Sequence, residues 1–244
     1  MMFQNHFLAA RAAIVMFVCA PFFAHASVEP DRTRVVLNES DTATKITVTN
    51  RSSTNPYLVQ SWIENEQGEK ITSPLIVVPP LQRIEPNESN VLRIARLPGA
   101  TLPADRETVF YLNIREVPPK VDTPNTLQLA LHSQLKLFYR PNGVRPAQDV
   151  DPTLPMTLRI DTASHKLVFD NPTPYHITIV ELAADAQKTA IPFNPLMASP
   201  MSQIETAFSI AMPTTLYVSH IDDYGGQVVV KYACSAGVCK STEK

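Results

Sequence analysis

Two-residue alternation, renewed about every ten residues and broken by turn formers, constrains this chain more than any other feature. Ile46 and Val48 alternate with Thr47 and Thr49, Leu92 and Ile94 flank Arg93, Leu158 and Ile160 flank Arg159, and Tyr175, Ile177 and Ile179 flank His176 and Thr178. Successive side chains on a strand point to opposite faces, so each run carries one apolar face that must be buried against a second layer. Between the runs lie Asn50-Arg51-Ser52-Ser53, residues 65–68, Glu85-Pro86-Asn87, Asn171-Pro172-Thr173-Pro174 and residues 222–226, rich in residues that favour turns. Proline is abundant (22) and glycine scarce (6), and no apolar stripe of helical period lasts more than a few turns. The pattern predicts an all-β chain of short strands packed as sandwiches of about 100 residues each.

The first 26 residues carry Arg11, an apolar stretch over residues 12–23 and then Ala24-His25-Ala26, which reads as a secretory signal with an A-x-A cleavage site. Arg11 and Pro21 keep the stretch too short for a transmembrane helix. Val18 before Cys19 is not the small residue a lipid anchor needs, so Cys19 is expected to leave with the signal. Its removal leaves 218 residues and lowers the formal charge from −2 to about −3 with the loss of Arg11. Neither the charge nor any Lys/Arg run offers the basic face that nucleic-acid binding requires. Cys234 and Cys239 remain, five positions apart; in an exported chain they are expected to form a disulfide that pins a terminal hairpin, contributing roughly 2 kcal/mol. The spacing is not that of a C-x-x-C redox motif.

The strongly apolar strand before Tyr139-Arg140-Pro141-Asn142-Gly143-Val144-Arg145-Pro146 ends in a segment that two prolines and a glycine keep out of regular pairing. This places a linker near residues 141–148 and predicts two domains, 27–144 and 145–244, that meet at an angle. Catalytic signatures are absent: there is no G-x-S-x-G, H-E-x-x-H, P-loop or dinucleotide glycine pattern. His132, His165, His176 and His220 are spread through expected strands without metal-ligand spacing, so no enzyme activity, metal or cofactor is expected. In the segment 127–137 every odd position except 133 is leucine, which by period alone fits a core strand of the chain's own sandwich.

Several stretches carry a resemblance along essentially the whole mature chain. They are Asp31-Arg32-Thr33-Arg34, residues 57–65 ending in Trp62-Ile63-Glu64-Asn65, Pro79-Pro80 with Gln82-Arg83, Asp105-Arg106-Glu107, YLNIREVPP at 111–119, LKLFYRP at 135–141, NPTPY at 171–175 and Asp223-Tyr224-Gly225-Gly226. With them the chain resembles the PapD-type periplasmic pilus chaperones. The resemblance implies two immunoglobulin-like β-sandwich domains in a bent, boomerang arrangement. It implies a periplasmic chaperone that binds pilus subunits by donor-strand complementation and delivers them to an outer-membrane usher. Leu127, Leu129 and Leu131 would enter the groove of a subunit that lacks a strand, each burying apolar surface worth about 1.5–3 kcal/mol. Arg34 and Lys136 would anchor the subunit's terminal carboxylate in the cleft between the domains, with Arg32 left unassigned; otherwise Lys136 is an ordinary solvated strand lysine. Glu107, Arg140 and Asp223, otherwise three independent surface charges, would form ion pairs between the domains near the hinge. The short connection from Lys120 to Thr126 resembles the branch serving rod-forming pili. No ATP or other cofactor is implied.

The rival reading is a structural one, a pilus subunit or Ig-like adhesin. Such a chain is expected to carry an apolar final strand, whereas this one ends Lys240-Ser241-Thr242-Glu243-Lys244. An exposed leucine edge invites pairing in the free protein, which predicts self-capping, as a dimer at high concentration.

Overall fold

The computed structural model describes residues 27–99, 101–120, 126–147, 151–185, 189–208 and 213–242. The expected signal, residues 1–26, and most of the connection from Lys120 to Thr126 lie outside the described residues. Ten strands precede the Pro141 segment: β1 (Val28–Pro30), β2 (Arg34–Asn38), β3 (Ala43–Asn50), β4 (Tyr57–Glu64), β5 (Lys70–Ile71), β6 (Leu75–Val78), β7 (Leu81–Ile84), β8 (Ser89–Arg96), β9 (Thr108–Val117) and β10 (His132–Arg140). They form two sheets, β1-β3-β8-β6 and β2-β10-β9-β4-β5, with β7 also on β4. The chain changes sheets between β1 and β2, after which β2 runs parallel to β10. Inward residues of the two sheets, among them Val35, Leu37, Ile46, Val48, Leu92, Ile94, Leu112, Leu135 and Leu137, make one core.

A single 3-10 turn, Asn142–Val144, leads to the second domain. Its strands are β11 (Thr157–Asp161), β12 (Lys166–Asn171), β13 (Ile177–Ala183), β14 (Ala190–Ile191), β15 (Leu196–Ala198), β16 (Ser202–Ala207), β17 (Thr215–Ile221), β18 (Gln227–Ser235) and β19 (Val238–Ser241). A second, separate core gathers Leu158, Phe169, Ile179, Leu182, Leu216, Val218 and Tyr232. The Cys234–Cys239 disulfide joins directly opposed residues of the β18–β19 hairpin, and β19 then pairs with β11, so the hairpin links β17–β18 to β11–β12 within one nine-stranded sheet. His165 sits in a turn and His176 just ahead of β13, so these two histidines are outside the strands in which the alternation put them.

Each domain is pinned by one buried asparagine from a turn-forming stretch. The Asn50 amide donates to the carbonyls of Asn55, Ile84 and Glu85, and its oxygen accepts from the Ser52 amide. Asn171 repeats the device, donating to Tyr175 and Ser199 carbonyls at 2.8 and 2.9 Å and accepting from the Thr173 amide and hydroxyl. Alanine at 171 would strand these buried groups, since a buried polar group without a partner costs about 1–3 kcal/mol. Asn171→Ala is therefore expected to lower stability by about 2–3 kcal/mol, seen as a lower urea midpoint with an unchanged slope. A loss below about 0.5 kcal/mol would mean that water replaces the amide at this turn.

Candidate functional site

Where β10 ends, its last residue reaches both domains. Arg140 donates through Nε to Glu107 at 2.7 Å and through Nη1 and Nη2 to the two carboxylate oxygens of Asp223 at 2.6 and 2.8 Å. Glu107 precedes β9 in the first domain, and Asp223 lies in the turn between β17 and β18 of the second. Only 6% of the Arg140 side chain and 2% of the Glu107 side chain remain exposed, against 43% for Asp223. Burial opposes the Arg140 charge, but the Asp223 hydrogen bonds and the Glu107 and Asp223 charges outweigh it and raise its pKa above the ordinary value. The guanidinium lies 5.3 Å from the Tyr175 ring centroid, and Glu107 takes two further contacts across the boundary, from the His176 amide to its carboxylate and from its own amide to the Pro174 carbonyl. The structure thus brings Glu107, Arg140 and Asp223 together; Tyr175 and His176, which complete the setting, appeared in the sequence only in the NPTPY stretch and among the histidines, with no place in this site.

Arg34 opens β2, and the parallel register sets it beside Lys136 of β10. Paired residues on neighbouring strands share a face, so the two cations stand side by side. Arg34 is buried, donates from Nη1 to the Ile221 carbonyl at 2.9 Å and lies 5.8 Å from the Phe138 ring centroid. Its Nε is buried without a hydrogen-bond partner among the described residues. Burial lowers the pKa of Arg34 against the pull of Asp223, Asp222 and Glu107, and burial together with the Arg34 charge lowers that of Lys136. A site holding two desolvated, mutually repelling cations is electrostatically matched to an anion with two acceptor atoms, such as a carboxylate. Arg34, Glu107, Arg140, His176, His220 and Asp223 contribute to the wall of a cavity of about 860 Å³ between the domains. Arg32 stands apart, exposed and paired with Asp31 at 2.9 Å.

The third feature is an unfinished strand edge. β10 pairs with β9 from His132 to Tyr139, but with β2 only from Lys136 onward. Residues 132–135 therefore have no strand on the β2 side among the described residues. Upstream, Leu127, Leu129 and Leu131 are 83%, 70% and 44% exposed, whereas Leu135 and Leu137, of the same parity, are in the core. The regular ladder does not extend back to Leu127 as the alternation suggested; it stops at His132. The cause lies in β9, which ends at Val117 before Pro118 and Pro119, residues with no N–H to continue the ladder. Outside the cleft, the sequence reading also missed the exposed pair Leu58 and Val117, which lie opposite one another on β4 and β9. Strand-parity arguments could have found them, because both alternate with buried neighbours. Among the described residues no group of three His, Cys, Asp or Glu side chains is arranged to hold a metal.

Comparison with known proteins gives a consistent picture. Residues 27–145 match the family described as pili and flagellar-assembly chaperone, PapD N-terminal domain, and residues 150–232 match the pili assembly chaperone PapD, C-terminal domain. The chaperone protein PapD of Escherichia coli is 38% identical over 231 residues, covering 93% of this chain and 94% of PapD. The chaperone protein PmfD of Proteus mirabilis is 37% identical over 225 residues, covering 90% of this chain and 88% of PmfD. Among solved structures, the Salmonella enterica SafA pilin in complex with the SafB chaperone aligns with a TM-score of 0.74 at 27% identity, over 87% of this chain and 99% of the matched one. The CupB2 chaperone of Pseudomonas aeruginosa aligns with a TM-score of 0.71 at 30% identity, over 85% of this chain and all of its own.

Proposed function

Since this chain belongs to the PapD-like pilus-assembly chaperones, a family with a non-enzymatic folding and assembly role, we propose that its Leu127–Leu131 segment and its Arg34–Lys136 pair act as two ends of one binding site for a pilus subunit. The observation that carries this reading is the placement of the free β10 edge between the exposed leucines and the cation pair. A subunit strand added to that edge occupies the line of β2, just ahead of it. For the strand's terminal carboxylate to meet Arg34, where β2 begins, the strand must run in the direction of β2, and hence parallel to β10. Its main-chain groups then pair with residues 132–135, and the leucines, extending the β10 strand, fill the groove that the subunit's missing strand leaves open.

Glu107, Arg140 and Asp223 hold the two domains at the angle that keeps this cleft open. Residues 1–26 direct the chain to the periplasm, the loaded complex goes to an outer-membrane usher, and in the free protein a second copy covers the leucine edge. Burying three leucines at about 1.5–3 kcal/mol each supplies a driving force that needs no nucleotide.

A pull-down from the native periplasm with the tagged protein tests the site. The wild type is expected to retain small pilus subunits, identified by mass spectrometry, and a variant carrying serine at 127, 129 and 131 is expected to lose them while melting at the same temperature. Equal retention by the serine variant would place the subunit elsewhere on the chaperone.

A further inference from the structure

Glu116 is an acid on the wrong parity. It follows Phe110, Leu112 and Ile114 on the inward face of β9, and it is buried. Both of its carboxylate oxygens are engaged, and among the described residues neither meets a cation. Oε2 accepts the Val28 amide at 2.8 Å, and Oε1 accepts the Leu131 amide at 3.2 Å. The main chain of Glu116 also donates to the Leu131 carbonyl at 3.0 Å. One residue therefore grips Leu131 from both sides, at the last point before the leucine segment leaves the sheet.

We propose that Glu116 is the positioning residue of the leucine segment, tying its root to the N-terminal strand β1; this rests on the reading that the segment is lent to a subunit. Past Val117 the β9 ladder has no amide to offer, because Pro118 and Pro119 follow. The last rung is closed by Glu116 itself, whose main-chain N–H meets the Leu131 carbonyl and whose carboxylate accepts the Leu131 N–H, and this fixes the exit of the chain at that point. β1 belongs to the opposite sheet, so the same carboxylate spans the seam of the sandwich and joins residue 28 to residue 131. Hydrogen bonds to an ionised acceptor are stronger than neutral ones, which suits a carboxylate to holding two amides. A segment whose root is fixed loses less freedom when its leucines enter a groove, and binding gains accordingly.

The test pairs amide hydrogen exchange of the free protein with capture of the subunit that the wild type retains in the pull-down. In Glu116→Ala the Leu131 and Val28 amides are expected to exchange roughly tenfold faster or more, and capture to weaken by roughly tenfold, the scale of a lost charge-assisted hydrogen bond. Val28→Pro deletes the other amide, with a change to one core side chain, and leaves Glu116 in place; through the shared carboxylate it too is expected to speed Leu131 exchange. Glu116→Gln keeps one acceptor and is expected to fall between wild type and alanine, and with Val28→Pro it carries the test if the alanine variant does not fold. Unchanged Leu131 exchange in the variants would overturn the tie. Faster exchange with undiminished capture would overturn the positioning role and leave Glu116 a purely architectural residue. A wild type that captures nothing would instead overturn the strand-lending reading, while the exchange data still judged the tie.

Discussion

Arg140→Ala is expected to cost about 3–5 kcal/mol of stability, the range found when one member of a buried ion pair is removed and the other is left behind. Glu107 would lose its guanidinium partner with only 2% of its side chain exposed, and Asp223 would lose a two-pronged partner. The domain boundary would then hold a buried acid without its partner rather than a pair. Arg140→Lys is expected to recover little, because a point-like ammonium cannot serve Glu107 and both Asp223 oxygens at once. The informative control removes the charges together. A combined Arg140→Met and Glu107→Leu chain is expected to recover most of the lost stability and still capture subunits poorly, because nothing then ties the β17–β18 turn to β10. Urea unfolding of the four proteins, with the subunit pull-down alongside, checks both statements; an alanine variant as stable as wild type would show that Glu107 is reached by water.

Arg34→Ala and Lys136→Ala are expected to do the reverse, sparing stability and removing function. Both cations are held below their ordinary pKa by burial, so neither is a net asset to the empty protein, and stability is expected to change by less than about 1 kcal/mol. Loss of one partner of a desolvated charge pair in a complex typically costs 2–5 kcal/mol, so each variant is expected to bind subunits weaker by roughly two orders of magnitude. Arg34→Lys is expected to restore only part of this, since the Ile221 contact and a two-pronged grip on a carboxylate both use the guanidinium. Binding measured against one captured subunit, with its terminal carboxylate free or amidated, checks the assignment. Wild type and variants are expected to bind the amidated form with similar weakness; a wild type indifferent to amidation would remove the anchor.

How far these features could be read beforehand depends on how far apart in sequence their causes lie. The strands, the two cores and the hairpin disulfide follow from local alternation and spacing, and Ile46, Leu92, Leu158 and Ile179 are buried as their parity requires. The leucine row is different. Its five members are equivalent by period, yet three are exposed and two are core, and the division is set by Pro118 and Pro119 through the β9–β10 register. The cation pair needs the parallel β2–β10 alignment, which no run of residues announces, and the Ile221 carbonyl that holds Arg34 is 187 positions away. Glu116 is visible as an acid among inward apolar positions, but parity says only that it is buried and not which amides it meets.

Gly225 sets a limit of another kind. Its φ of +89° and the 2.6 Å that would separate an added Cβ from the Thr33 hydroxyl leave no easy place for a side chain, and Thr33 is the neighbour of Arg34.

The segment leading into β10 and β10 itself carry the leucines and the lysine on one length of backbone. From Leu129 to Lys136 is seven residues, about 23 Å when extended at ~3.3 Å per residue. The strand is in that sense a ruler: its zero mark is the carboxylate at Arg34 and Lys136, and its graduations are the leucines. A subunit whose groove opens two residues too near its own terminus would meet the marks out of step, and a single residue inserted between Leu131 and Leu135 would turn every graduation to the opposite face. Drift in this strand is therefore policed by two surfaces at once, the chaperone's own core and the dimensions of its clients, so its length should be the last property of the molecule to change.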